Sequence, residues 1–151
     1  MPGVTLDAGG LIALDRNDRR VVRIMTRLAY EPLTSPLRAV SPCLAPRADL
    51  FAVSVLRRMR VTIPASALAQ AIRRPERQAR LSRLIRQPDT DVVALGRVDA
   101  THIGRLLAAS GTSDIADAHV VICARRAGQP VVTSDPGDLR KLDPARWLIA
   151  L

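Results

Sequence analysis

Short, uniformly apolar runs that recur between helical patterns constrain this 151-residue chain more than any single motif does. VTL (4–6), VTI (61–63), DVVAL (91–95), QPVVTSD (129–135) and the closing WLIAL (147–151) read as strands, because β-branched and large apolar residues follow one another without polar alternation. Strands of this kind, separated by helices, predict an α/β chain with a mainly parallel sheet covered by helices on both faces. No internal repeat interrupts that order.

The helices have their own signals. After Asn17 or Asp18 as N-cap, Val21, Val22, Met25 and Leu28 recur at helical spacing with Arg19, Arg20, Arg23 and Arg27 between them. Pro64 opens a helix over ASALAQAIRR, and further helices are predicted over 49–59 and 75–86. Asp99 is expected to cap a helix that reaches Ser110 and stops at Gly111. The stretch from Asp114 to Ala127 is apolar on nearly every face and ends with Arg125, Arg126 and Gly128. Pro32, Pro36, Pro42 and Pro46 exclude a regular helix or central strand over 31–47, which reads as a loop or insert.

The length suits a single domain over residues 1–151, with 48% of residues apolar and a proline-rich insert at about 29–60. No apolar run approaches the ~20 residues that a bilayer crossing needs, and MPGVTLDAGG lacks the basic-then-apolar pattern of a secretory leader. A cytoplasmic protein without a membrane is therefore expected. Cys43 and Cys123 fall in unlike surroundings and suggest no disulfide, and Cys123 reads as core. The formal charge of +9 is almost all arginine, since Lys141 is the only lysine. Such a surplus favours a polyanion; arginine forks bind phosphate and carboxylate alike, so RNA, DNA and an acidic protein segment all stay open.

Carboxylates supply the candidate chemistry. In an open parallel sheet, ligands gather beyond the carboxyl ends of the strands, where both Asp7 and Asp135 stand. Asp114 and Asp117 share one face at the start of the apolar helix. Each has a structural alternative: Asp7 and Asp114 as helix caps, Asp135 as a turn residue before Pro136 and Gly137. Asp117 is harder to explain that way, because it leads straight into AHVVICA, where an unpaired charge is costly. Acids converging without a lysine raise one another's pKa unless a cation offsets the charge, and hard oxygen ligands suit Mg2+ or Mn2+ better than zinc. His102 and His119 show no recognisable serine or cysteine partner and read as structural.

VTLDAGGLIAL, VTIPASALAQAIRR and above all GTSDIADAHVVICARRAGQPVVTSDPGDLRKL, in that order, resemble the PIN-domain ribonucleases, specifically the toxins of VapBC-type toxin–antitoxin pairs. The resemblance covers the chain except for the stretch between Leu28 and Arg60. It implies a PIN-like three-layer fold with a five-stranded sheet, a Mg2+- or Mn2+-dependent endoribonuclease, a tightly bound cognate antitoxin and a homodimer. It also implies Asp7, Asp117 and Asp135 as catalytic metal ligands, with Asp114 beside them and Asp138 near enough to assist. Where the family commonly has a glutamate after the LA of the middle helix, this chain has Gln70, which brings an acceptor oxygen and no charge. Glu76 is poorly placed on helical geometry to compensate.

Arg73, Arg77 and Arg80 fall near one face of the predicted 73–86 region, where they would either track an RNA backbone or form a solvated surface. With one tyrosine, one tryptophan and one phenylalanine, the chain has little to stack on unpaired bases. Two other classes stand beside the nuclease. One is a binding module for RNA or protein that keeps the fold without turnover. The other is an aspartyl phosphotransfer domain, for which DAGG lacks the needed second aspartate.

Overall fold

A computed structural model describes residues 3–30 and 59–151. The expected helix over 49–58, the proline-rich stretch 31–47 and Cys43 lie outside the described residues. Five strands, β1 (Gly3–Leu6), β2 (Arg60–Pro64), β3 (Thr90–Val93), β4 (Val131–Thr133) and β5 (Leu148–Ala150), form one sheet in the order β3-β2-β1-β4-β5. Every neighbouring pair is parallel, with Thr5 opposite Thr62 on one side and Val131 on the other. The sequence predicted a mainly parallel sheet; among the described residues it is wholly so.

The connecting helices are α1 (Ala8–Asp15), α2 (Arg19–Tyr30), α3 (Ala65–Ala71), α4 (Ala79–Leu84), α5 (Arg97–Ser110), α6 (Ile115–Ala127) and α7 (Pro136–Leu142). From β1 the chain moves to β2 and β3 on one side; it then returns to β4 and moves to β5 on the other. With right-handed crossovers, that reversal puts helices on both faces and gives the three-layer arrangement. α6 is the helix most deeply covered: Ala118, His119, Val120, Val121, Cys123 and Ala124 are all buried. It lies against β1 and β2 and packs on α3, α5 and α7, as a helix apolar on most faces must. Val4, Leu6, Val61, Ile63, Val131 and Val132 complete the core from the central strands. Val21 and Met25 of α2 are buried as the spacing predicts, and Asp18 Oδ1 accepts from the Arg20 N–H at 2.8 Å. No single described helix is long and apolar enough to cross a membrane.

Three boundaries differ from expectation. The 75–86 helix is broken into a 3-10 turn, Pro75–Arg77, and the short α4, the Arg77 and Gln78 N–H groups donating to carbonyls three residues back, while the Gln78 side chain takes backbone groups at the end of α3. Gln78 Oε1 accepts from the N–H groups of Arg73 and Arg74 at 2.9 and 3.1 Å, and its Nε2 donates to the Ala71 carbonyl at 3.0 Å. α3 accordingly stops at Ala71 rather than running through Arg74. Finally, Gly96 and not Asp99 caps α5. Asp99 lies buried one turn further in and forms an ion pair with Arg126 at the end of α6. Gly111 closes α5 in the left-handed region, φ 66°, as expected.

Candidate active site

The sheet reverses its direction of growth between β1 and β4, and the carboxyl ends of those two neighbours are where an α/β sheet offers a ligand site. Asp7 follows β1 directly, and its N–H donates to the Val132 carbonyl of β4 at 3.3 Å. Asp135 stands two residues beyond the end of β4. α1 begins at once after Asp7, pressed against β4: a Cβ on Gly10 would lie 2.8 Å from the Val132 carbonyl oxygen, and one on Gly9 2.0 Å from Ser134 Oγ. The Gly-Gly pair is what lets the helix start this close to the sheet.

Capping, the structural alternative for Asp7 and Asp114, is what the structure contains, and Asp135, for which the alternative was a turn residue, caps a helix as well. Asp7 Oδ1 accepts from the Gly10 N–H at 2.5 Å at the head of α1. Asp114 Oδ1 accepts from the Asp117 N–H at 3.0 Å at the head of α6, and Asp135 Oδ1 from the Gly137 N–H at 3.2 Å at the head of α7. Each cap occupies one oxygen of a carboxylate that offers several lone pairs. Capping therefore orients these acids without using them up, and helix N-termini favour their charge.

Thr133 had not been singled out from sequence. Its hydroxyl oxygen accepts from the Asp135 N–H at 2.9 Å and its hydrogen bond to Asp7 favours that carboxylate, so one side chain links the two strand-end acids. The signal was the TSD tripeptide, which puts a hydroxyl two residues before the acid.

The charges act on one another. Burial raises the Asp7 carboxyl above its ordinary value, and Asp135 adds to the rise, against the hydrogen bonds from Thr133 and Gly10. Asp117 is pushed from 3.8 to about 6, first by burial and then by the charges of Asp114, Asp7, Asp138 and Asp135. The acids named from sequence are thus within electrostatic reach of Asp117. Asp138 is partly offset by Lys141, whose Nζ donates to it at 2.6 Å. Even so, no three His, Cys, Asp or Glu side chains are close enough together among the described residues to form a finished coordination group. The donor set is all carboxylate oxygen, which fits a hard divalent cation, and the raised Asp7 and Asp117 carboxyls are what such a charge would relieve.

The remaining candidates are sorted by position. Gln70 is exposed on α3, and His102 is exposed on α5. His119 is fully buried with its pKa lowered by that burial, which supports the structural role expected of it. It does have a serine partner: Ser66 Oγ lies 2.8 Å from His119 Nδ1, a pairing across 53 residues that no local pattern could reveal. Arg73, Arg77 and Arg80 do not share a helix face, because each sits in a different piece of chain. Arg73 donates to the Ala69 and Ile72 carbonyls at 3.4 and 3.2 Å, and Arg80 to the Asp15 carbonyl at 3.3 Å. Glu76 lies in the 3-10 turn, beyond the far end of α3.

Residues 44–143, well over half of the chain, match the family described as the PIN domain. The match leaves β1 and Asp7 outside its span. No curated protein and no solved structure matches the chain.

Proposed function

The chain belongs to the PIN-domain family, whose members are generally divalent-metal-dependent nucleases, and from that premise we propose that it is an endoribonuclease using Mg2+ or Mn2+, the toxin of a toxin–antitoxin pair. The observation that carries this is that Asp7, Asp114 and Asp135 lie within electrostatic reach of Asp117 beyond the carboxyl ends of β1 and β4, with Asp117 raised to about 6 first by burial and then by those charges.

Asp7, Asp117 and Asp135 would hold the cation, with Asp114 and Asp138 adding negative charge beside it. When bound, the metal supplies an activated water and neutralises charge on a phosphodiester. The chain's own part is to keep the acids oriented. Gly10 and Thr133 fix Asp7, and Thr133 and Gly137 fix Asp135. Gln70, in place of the acid common in the family, leaves the site one charge short, which lowers its cation affinity. A cognate antitoxin carrying a basic side chain would find the same acids, and a homodimer and a cytoplasmic location fit this role.

Purified protein is incubated with structured RNA in Mg2+, Mn2+ or EDTA. Cleavage that needs metal and is lost in Asp7→Asn supports the nuclease. A second reading, an RNA- or protein-binding module that no longer turns over, is favoured by Gln70 and by the unfinished grouping of the acids; RNA binding without cleavage at any metal concentration would establish it instead.

A further inference from the structure

An acidic site repels the RNA it is to cleave, so the attraction for the polyanion must come from elsewhere on the surface. Residues 60–86 hold seven arginines against one carboxylate, Glu76. Arg73 and Arg80 are engaged with helix carbonyls. The side chains of Arg74, Arg77 and Arg83 are exposed and make no hydrogen bond or ion pair among the described residues. We propose that these three form a phosphate-binding ledge that holds the RNA backbone about one helix length from the acidic cluster; the proposal rests on the nuclease reading.

Two features distinguish the ledge from an ordinary solvated face. The first is that its backbone is clamped: Gln78 holds the N–H groups of both Arg73 and Arg74 and the carbonyl of Ala71, so the arginines project from an ordered turn. The second is its fixed distance from the acids. α1 is capped by Asp7 and ends at Asp15, whose Oδ1 accepts from the Leu81 N–H of α4 at 3.2 Å. Eight helical residues span about 12 Å. By the parallel route, α3 leaves the carboxyl end of β2 and reaches the ledge after seven residues. With about 3.4 Å of axis per nucleotide of a stacked strand, the separation corresponds to roughly three to four nucleotides. RNA is favoured over an acidic polypeptide because unpaired guanidinium forks on three successive pieces of chain suit a regular row of phosphates.

The test measures binding of a fluorescein-labelled 12-nucleotide single-stranded RNA in EDTA over a range of NaCl, independently of cleavage. In Arg74→Gln/Arg77→Gln/Arg83→Gln the slope of log Kd against log salt should fall by about 2, from three contacts at about 0.7 each. An equal charge change on other exposed arginines, Arg23→Gln/Arg97→Gln/Arg105→Gln, should leave most of that slope intact. Arg74→Gln/Arg77→Gln, both outside α-helices, serves if the triple variant does not fold, with a loss of about 1.4. In cleavage assays KM should rise at least tenfold with kcat within twofold, and substrates of three nucleotides or fewer should not distinguish variant from wild type.

An unchanged slope, an equal loss in the control variant, or poly-glutamate bound in place of RNA overturns the ledge. If wild type cleaves while the slope is unaffected, only the ledge fails. If wild type binds with the expected slopes yet cleaves nothing in any metal, the nuclease reading fails and the ledge stands as an RNA-binding surface.

Discussion

Asp117→Asn tests the electrostatics of the acidic end without RNA or a partner. The folded protein holds this carboxyl at about 6 against an ordinary 3.8. At ~1.4 kcal/mol per pH unit, that rise corresponds to at most ~3 kcal/mol of destabilisation. Asp117 is only half-buried, and solvent screening reduces the figure to ~1–2 kcal/mol. Between pH 3.8 and 6 the folded state binds more protons than the unfolded one, so stability falls as pH rises through that window. The penalty is fully present above pH 6 and vanishes below the unfolded value. Asn is the same size, carries no charge, and leaves the backbone bond to Asp114 in place. In EDTA at pH 8 the variant should melt about 2–8 °C above wild type, at roughly 2–4 °C per kcal/mol for a chain of this length. By pH 4 the gain should have shrunk nearly to zero. Added Mg2+ should raise the melting temperature of wild type at pH 8 and do so less for the variant. The measurement is thermal unfolding followed by circular dichroism. A variant no more stable than wild type at pH 8, or equally stabilised at pH 4 and pH 8, would refute the account of a carboxyl raised by burial and by the acids around it.

Two packing predictions follow from the same region. Gly10→Ala should cost about 1–3 kcal/mol in urea unfolding despite alanine's better helix propensity, because the new methyl would sit 2.8 Å from the Val132 carbonyl oxygen. Ser66→Ala should cost about 1–3 kcal/mol by leaving the buried His119 Nδ1 without its partner, while Ser66→Thr, which keeps the hydroxyl, should recover most of the loss.

The three central strands could be read from sequence because a strand buried on both faces needs apolar residues throughout, and VTL, VTI and VVT carry that requirement locally, whereas the edge strands β3 and β5 are only partly covered. The acidic end was readable for a related reason: the strand-end rule places Asp7 and Asp135 together whatever the loops do. What the sequence concealed depends on partners far apart in the chain. Asp99 looks like a cap until Arg126 is brought to it from α6. His119 looks solitary until α3 delivers Ser66. The stop of α3 at Ala71 is hidden because a side chain, Gln78, replaces the backbone bonds that helical periodicity assumes there. The arginines of that region were assigned to one face on the same assumption.

β1 is the first strand of the chain and the middle strand of the sheet. Residues 44–143 alone would lack it, leaving β2 and β4 with bare facing edges and nothing between them, so that excised segment should not hold a native sheet. Val4 and Leu6 lie more than a hundred residues before the β4 segment around Val131 that covers one of their flanks, so β1 is complete only once that distant strand has joined it. Until then the folding chain exposes an apolar strand with open edges, which makes chaperone capture or prompt association with a partner a matter of yield for this protein as much as of regulation.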